Sequence, residues 1–102
     1  MSLSIQTTED AVRKVLVVGE VDVSNADELR AALDAALLET AGELVADLSQ
    51  TTYIDSTGIG VLVGAAHRAA EAGKKLVVAQ PQKNVARVLE LLGVAGDLNI
   101  QQ

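Results

Sequence analysis

Cysteine is absent from this chain, which removes disulfides, thiol nucleophiles and thiolate metal sites together. Aromatic residues are almost absent as well: there is no tryptophan or phenylalanine, and Tyr53 is the one tyrosine. A surface that holds single-stranded nucleic acid by base stacking is thereby excluded. A formal net charge of −6 opposes a phosphate backbone and does not favour an anionic membrane. No apolar run approaches the roughly 20 residues that span a bilayer. The polar opening from Met1 to Asp10 reads as carrying no signal peptide, so a cytoplasmic location is expected by default. Histidine occurs once, at His67, and proline once, at Pro81.

What the chain has is aliphatic. Hydrophobic residues make up 49% of it, nearly all Val, Leu, Ile and Ala, which is enough for a real core. The length of 102 residues is that of one domain. Residues 1–102 are read as that domain, with no repeat, linker or low-complexity segment.

Periodicity divides the chain as follows. Ser2 to Thr7 alternates, with Leu3 and Ile5 on one face, and reads as an edge strand that turns at Glu9-Asp10. Val12 to Val21 is β-branched and reads as a central strand, with a bulge or close backbone approach at Gly19. Ser24 is the expected cap of a first helix, with Asp27 as capping-box partner and a stripe of Ala26, Leu29, Leu33, Ala36 and Leu37. Gly42 is its expected stop. Leu44 to Leu48 reads as a third strand covered on both faces, and Ser49 to Tyr53 as a crossing. A second helix runs from about Thr57 to Ala72, with Ile59, Leu62, Val63, Ala66 and Ala70 inward and Gly73 as its stop. Lys75 to Ala79 is a fourth strand. A third helix, about Gln82 to Leu92, carries Val85, Val88, Leu89 and Leu92 at helical spacing and ends at Gly93. Leu98 to Ile100 has the makings of a short last strand. Helices between strands supply the crossovers that parallel pairing needs, so the fold class is α/β, a mixed sheet of four to five strands with three or four helices packed on it.

The stretch Asp55-Ser56-Thr57-Gly58-Ile59-Gly60 stands where a buried strand gives way to a long helix. Ser56 is read as the N-cap, with Gly58 and Gly60 leaving the first turn bare. An exposed hydroxyl then sits at the positive end of a helix, where an added phosphate is tolerated or favoured. The plainer alternative is an ordinary capped helix with glycines for close packing. Thr57 is a second hydroxyl one residue away, and local chemistry does not separate the two.

Catalytic readings of the same residues fail. Gly58, Gly60 and Gly64 miss the G-x-G-x-x-G spacing by one position, and no acidic residue ends the next strand to hold a ribose. No Lys-Ser/Thr pair follows the glycines, so there is no Walker A loop. Ser56 as a nucleophile lacks a base, because His67 lies about three turns down the same helix, and position 54 is Ile where a nucleophile elbow has Gly. Asp22, Asp47 and Asp55 at strand ends read as a solvated rim of capping aspartates in preference to a metal cluster. No metal or other cofactor is expected, and the chain is not expected to be an enzyme.

Three segments resemble a known family. Gly19-Glu20-Val21-Asp22 with Ser24, Ala26 and Leu29 is the first, Asp47-Leu48-Ser49 the second, and Asp55-Ser56-Thr57-Gly58-Ile59-Gly60-Val61-Leu62 the third and most specific. Together they resemble a STAS domain of the anti-sigma factor antagonist type, over essentially the whole chain. The resemblance implies a small STAS-like fold and a phosphorylatable protein-binding switch in transcription regulation. In such proteins the unphosphorylated form binds an anti-sigma factor that is itself a serine kinase, and so frees a sigma factor. Phosphorylation ends the binding and a phosphatase restores it. Carried over, the phosphorylated residue is Ser56, with Thr57 as rival, and the partner surface comprises Asp22, Ser24, Asp55, Thr57, Gly58, Ile59 and Gly60. The chain leaves little room beyond Leu98 for the final helix that many members carry. The alternative is a constitutive accessory subunit, similar to the small STAS proteins of bacterial lipid-transport ATPase complexes.

Overall fold

A computed structural model describes residues 2–9 and 13–101. The strand β2 (Arg13–Val21) organises the rest. Its inward residues Val15, Val17 and Val21 are fully buried, as β-branched side chains on a covered pleat should be. The strand β1 (Leu3–Glu9) runs antiparallel along one edge, with Leu3 opposite Gly19 and Glu9 opposite Arg13. The other edge is shared. The strand β3 (Glu43–Asp47) pairs in parallel with Arg13 to Leu16, and β4 (Thr51–Ile54) in parallel with Gly19 to Val21. The strand β5 (Lys75–Ala79) lies outside β3, again parallel. The sheet is therefore mixed and five-stranded, as the alternation of helices and strands predicts.

The segment expected to be a crossing, Ser49 to Tyr53, is where β4 forms. Its polar composition concealed it: Thr51 is fully buried, yet its hydroxyl donates to the Val17 carbonyl at 2.7 Å, so no polar group is left unpaired. Gly19 does mark an irregularity, since the register shifts between Gly19 and Glu20. Its φ is +106°, and a Cβ there would stand 2.3 Å from the Ser2 carbonyl oxygen. Glu9 belongs to β1 and does not turn; Asp10 and Val12 lie outside the described residues.

The helices α1 (Ala26–Leu38) and α2 (Ser56–Glu71) pack side by side, α1 over β2 and α2 over β5. The predicted stripe of α1 is buried at every position. In α2 the inward residues are Gly58, Ile59, Val61, Leu62, Ala65, Ala66 and Ala69. Val63 is only half-buried and Ala70 is exposed. The predicted stripe was too narrow, because α2 meets both α1 and the sheet. The helix α3 (Lys83–Leu91) packs beside β4 and buries Val85 and Leu89 alone; Val88 and Leu92, one step off that face, are exposed. Two amides anchor its start, Gln82 Nε2 donating to the Ser49 carbonyl and Asn84 Nδ2 to that of Thr52.

Both later helices stop on glycine, as predicted. Gly73 (φ +73°) and Gly93 (φ +71°) complete reciprocal closures, Lys74 N–H donating to the Ala69 carbonyl and Val94 N–H to that of Leu89. Gly42 does not end α1. That helix finishes at Leu38 with Glu39 as its cap, and the Thr40 hydroxyl donates to the Ala36 carbonyl at 2.6 Å. Past α3, Leu98 is fully buried, but the expected last strand is reduced to one parallel bridge between Ala79 and Gln101 on the outer edge of β5.

Candidate functional site

Parallel pairing of β2 and β4 brings their C-terminal ends together. Val21 lies opposite Ile54, and Asp55 N–H donates to the Val21 carbonyl at 3.1 Å. The loop Asp22-Val23-Ser24 is thereby placed beside the start of α2, although the chain between them includes all of α1 and β3.

The cap of α2 is Asp55, and Ser56 is the first helical residue. One oxygen of the Asp55 carboxylate accepts from Gly58 N–H at 2.9 Å, satisfying a donor of the first turn. The other accepts from Val23 N–H at 3.1 Å, across 32 positions of sequence. One side chain thus caps the helix and fastens the neighbouring loop to it. Relieved of capping, Ser56 is exposed and its hydroxyl has no hydrogen-bond partner among the described residues. Thr57 is exposed in the same way. The N–H groups of Ser56 and Thr57 are the remaining orphan donors of this end, and the first turn of α2 holds no acidic residue. An anion on Ser56 would meet a positive helix end capped by Asp55 and with no acid in its first turn.

The two glycines of the motif do different work. Gly60 is exposed, and apart from its chain neighbours and its own helix backbone no atom lies within 4 Å of where a Cβ would stand. Gly58 is buried, and a Cβ there would lie 2.7 Å from Val21 Cγ1 and 2.8 Å from Ile54 Cγ1. Gly58 sets how closely α2 approaches the sheet. Ile59, also in the predicted partner surface, is 3% exposed and faces the core.

Ser24 does not cap α1 either. The residue at the cap position is Asn25, and its side chain makes no cap hydrogen bond because it is engaged backwards. Its Oδ1 accepts from Asp22 N–H at 2.9 Å and its Nδ2 donates to the Glu20 carbonyl at 2.9 Å. Ser24 turns instead to Asp22, whose Oδ1 accepts from both the Ser24 hydroxyl and the Ser24 N–H. The hydroxyl first, then the N–H, hold the Asp22 carboxyl below its ordinary value by stabilising the anion. Asp27, the expected capping-box partner, is exposed and pairs with Arg30 at 2.6 Å.

Sequence reasoning missed Val23, which is 75% exposed on a loop with a fixed backbone. The signal was an apolar residue between the turn formers Asp22 and Ser24. Tyr53, three residues before Ser56, is 45% exposed. Asp47 does not join Asp22 and Asp55; it accepts from Ser49 N–H at 2.8 Å and lies 3.8 Å from Lys14 Nζ. Among the described residues no group of three or more His, Asp or Glu is placed to hold a metal ion, and no helix is long and apolar enough to cross a membrane. His67 is exposed on α2.

The arrangement belongs to a recognised group of folds. A family model described as Mlab, STAS domain, matches residues 4–101. The anti-sigma-B factor antagonist of Staphylococcus aureus is 28% identical over 103 residues, spanning 100% of this chain and 95% of that protein. The crystal structure of an anti-sigma factor antagonist from Mycobacterium paratuberculosis superposes with a TM-score of 0.88 at 24% identity, covering 98% of this chain and 86% of that one. The Bacillus cell fate determinant SpoIIAA, in its phosphorylated form, superposes with a TM-score of 0.71 at 15% identity, covering 99% and 91%. At such identities the two structures establish likeness of fold.

Proposed function

Since this chain belongs to the STAS domain family, we propose that it is an anti-sigma factor antagonist, a binding protein and not an enzyme, switched by phosphorylation of Ser56. In its unphosphorylated form it binds an anti-sigma factor that is also a serine kinase, and a sigma factor is released. Phosphorylation ends the binding, and a phosphatase reverses it. The observation that carries this reading is the division of labour at the head of α2: Asp55 does the capping, and the exposed Ser56 hydroxyl is left free. Matches over the full chain to a protein named for this function support it.

The physics of the switch is local. Phosphorylation adds about −1.5 to −2 charges at pH 7. Ser56 contributes nothing to the cap or the core, so the fold has no reason to change. The new bulk and charge fall on the surface offered to the partner. That surface is Asp22, Val23, Ser24, Asp55, Thr57 and Gly60, with Gly58 and Ile59 shaping it from beneath. A loss of roughly 3 kcal/mol there weakens binding more than a hundredfold. The family pattern favours Ser56 over Thr57.

The test uses Ser56→Ala and Ser56→Asp as paired baits in native lysate. Capture of a small serine kinase by the Ala bait and its loss with the Asp bait is the expected result, followed by phosphate transfer to wild type and not to Ser56→Ala. Kinase binding unaffected by Ser56→Asp overturns the switch. The second reading, a constitutive accessory subunit of a lipid-transport ATPase complex, rests on the resemblance to the small STAS proteins of such complexes and is compatible with membership of the STAS domain family. Its sign is equal capture of a transporter ATPase by both baits.

A further inference from the structure

Among the described residues no strand pairs with the outer edge of β1, and alternation along its ladder with β2 fixes the direction of its hydrogen bonds. Glu20 N–H donates to the Ser2 carbonyl at 3.1 Å, so Ser2 faces β2. Alternation along an antiparallel ladder then turns Ser4 and Gln6 toward β2 as well. Leu3, Ile5 and Thr7 turn their N–H and C=O groups away from it. Gly19 agrees from the other side. It lies opposite Leu3 but donates its N–H to Gln50 in the direction of β4. The outward groups of Leu3, Ile5 and Thr7 have no partner among the described residues.

Natural edges are usually blunted by lysine, proline, a bulge or a covering segment. Among the described residues this one has none of these. Leu3-Ser4-Ile5-Gln6-Thr7-Thr8 carries no charge and no proline, and its register with β2 is unbroken. The contrast with the opposite edge is direct, because the outer side of β5 is covered by Leu98 to Gln101.

We infer that β1 is a self-pairing edge that joins two copies of this chain into an antiparallel, two-fold dimer centred on Ile5. A second copy fits this edge because the edge is self-complementary. About a two-fold axis at Ile5, each outward residue meets an outward residue: Ile5 faces Ile5, and Leu3 faces Thr7. All six outward donors then find acceptors. Leu3 and Ile5 are partly buried against the core, and pairing carries that apolar face across the axis. Ser4 faces Gln6 on the other side of the sheet. No carboxylate meets another at the seam, although each chain carries −6 overall. The two sheets join into one of ten strands.

Sedimentation of the full chain across a concentration series tests this. The expected result is a rise from 10.6 kDa to twice that mass. Thr7→Pro removes an outward N–H without touching the β2 ladder, and by symmetry it deletes two of the six bonds. It should raise the dissociation constant at least tenfold, whereas His67→Ala, at an exposed position of α2 away from β1, should leave it within about threefold. Hydrogen exchange on wild type provides a second reading that needs no variant: the Leu3, Ile5 and Thr7 amides should gain protection as concentration rises. A monomer at every concentration, or a dimer unaffected by Thr7→Pro with those amides unprotected, overturns the inference.

Discussion

Replacing Gly58 and Gly60 by alanine, one at a time, compares two sites two residues apart in one helix that differ almost only in their surroundings. Helix propensity alone favours alanine over glycine by about 1 kcal/mol in a helix interior. At Gly60 nothing opposes that gain, because the new methyl enters open space. Gly60→Ala should stabilise the protein by roughly 0.5–1 kcal/mol. At Gly58 the methyl would stand 2.7 Å from Val21 Cγ1 and 2.8 Å from Ile54 Cγ1, where carbon contacts want about 3.5–4 Å. Neither neighbour yields easily. Both are β-branched with restricted side-chain rotation, both are almost fully buried, and both are fixed by the β2–β4 pairing. Overpacking of this kind costs about 1–3 kcal/mol, and the propensity gain offsets only part of it. Gly58→Ala should destabilise by up to roughly 2 kcal/mol, leaving the two variants about 10 °C apart in Tm for a domain of this size. Urea unfolding gives the free energies, and equal m-values in the two variants would show that only stability changed. Equal stability of Gly58→Ala and Gly60→Ala would refute the claim that Gly58 sets the distance between α2 and the sheet.

Asp55→Ala should cost about 2 kcal/mol, the sum of a lost helix cap and a lost hydrogen bond to Val23. Asp55→Asn, which keeps a single carbonyl oxygen, should cost about half of that; no loss in either variant by urea unfolding would rule out the double role. Ser56→Asp should unfold within about 0.5 kcal/mol of wild type or slightly above it, since an acid in a first helical turn is favoured. A marked fall in Tm would show that charge at this position disrupts the fold itself. Asp22 titrates below its ordinary 3.8 because Ser24 bonds the anion. Its bonds therefore stabilise the loop above that ordinary value and are lost as pH falls through the lowered one. Ser24→Ala should move the Asp22 titration, followed by NMR, back up toward 3.8, and an unmoved titration would contradict the assignment.

Much of this architecture is legible in the residues. The Val-rich strand, the five-membered stripe of α1 and the glycine stops at Gly73 and Gly93 all follow from local chemistry. Side-chain period and backbone permissiveness act within a few residues, so they can be read from a few residues. The strand β4 was not legible, because its buried polar residue is tolerated only through a carbonyl 34 positions earlier.

The site divides along the same line. Sequence alone determined that a short acidic and hydroxyl-bearing turn stands between a buried strand and a long apolar-faced helix. Which member caps, which stays free and which glycine is structural were decided by tertiary structure. Asp55 takes the cap and Ser56 is released because the parallel β2–β4 pairing delivers a distant loop N–H to the second carboxylate oxygen. Gly58 is fixed by the side chains of two strands and Gly60 by none. Hydrogen bonds and contacts between residues far apart in the chain exist only once the sheet has set their register, and no local pattern encodes them.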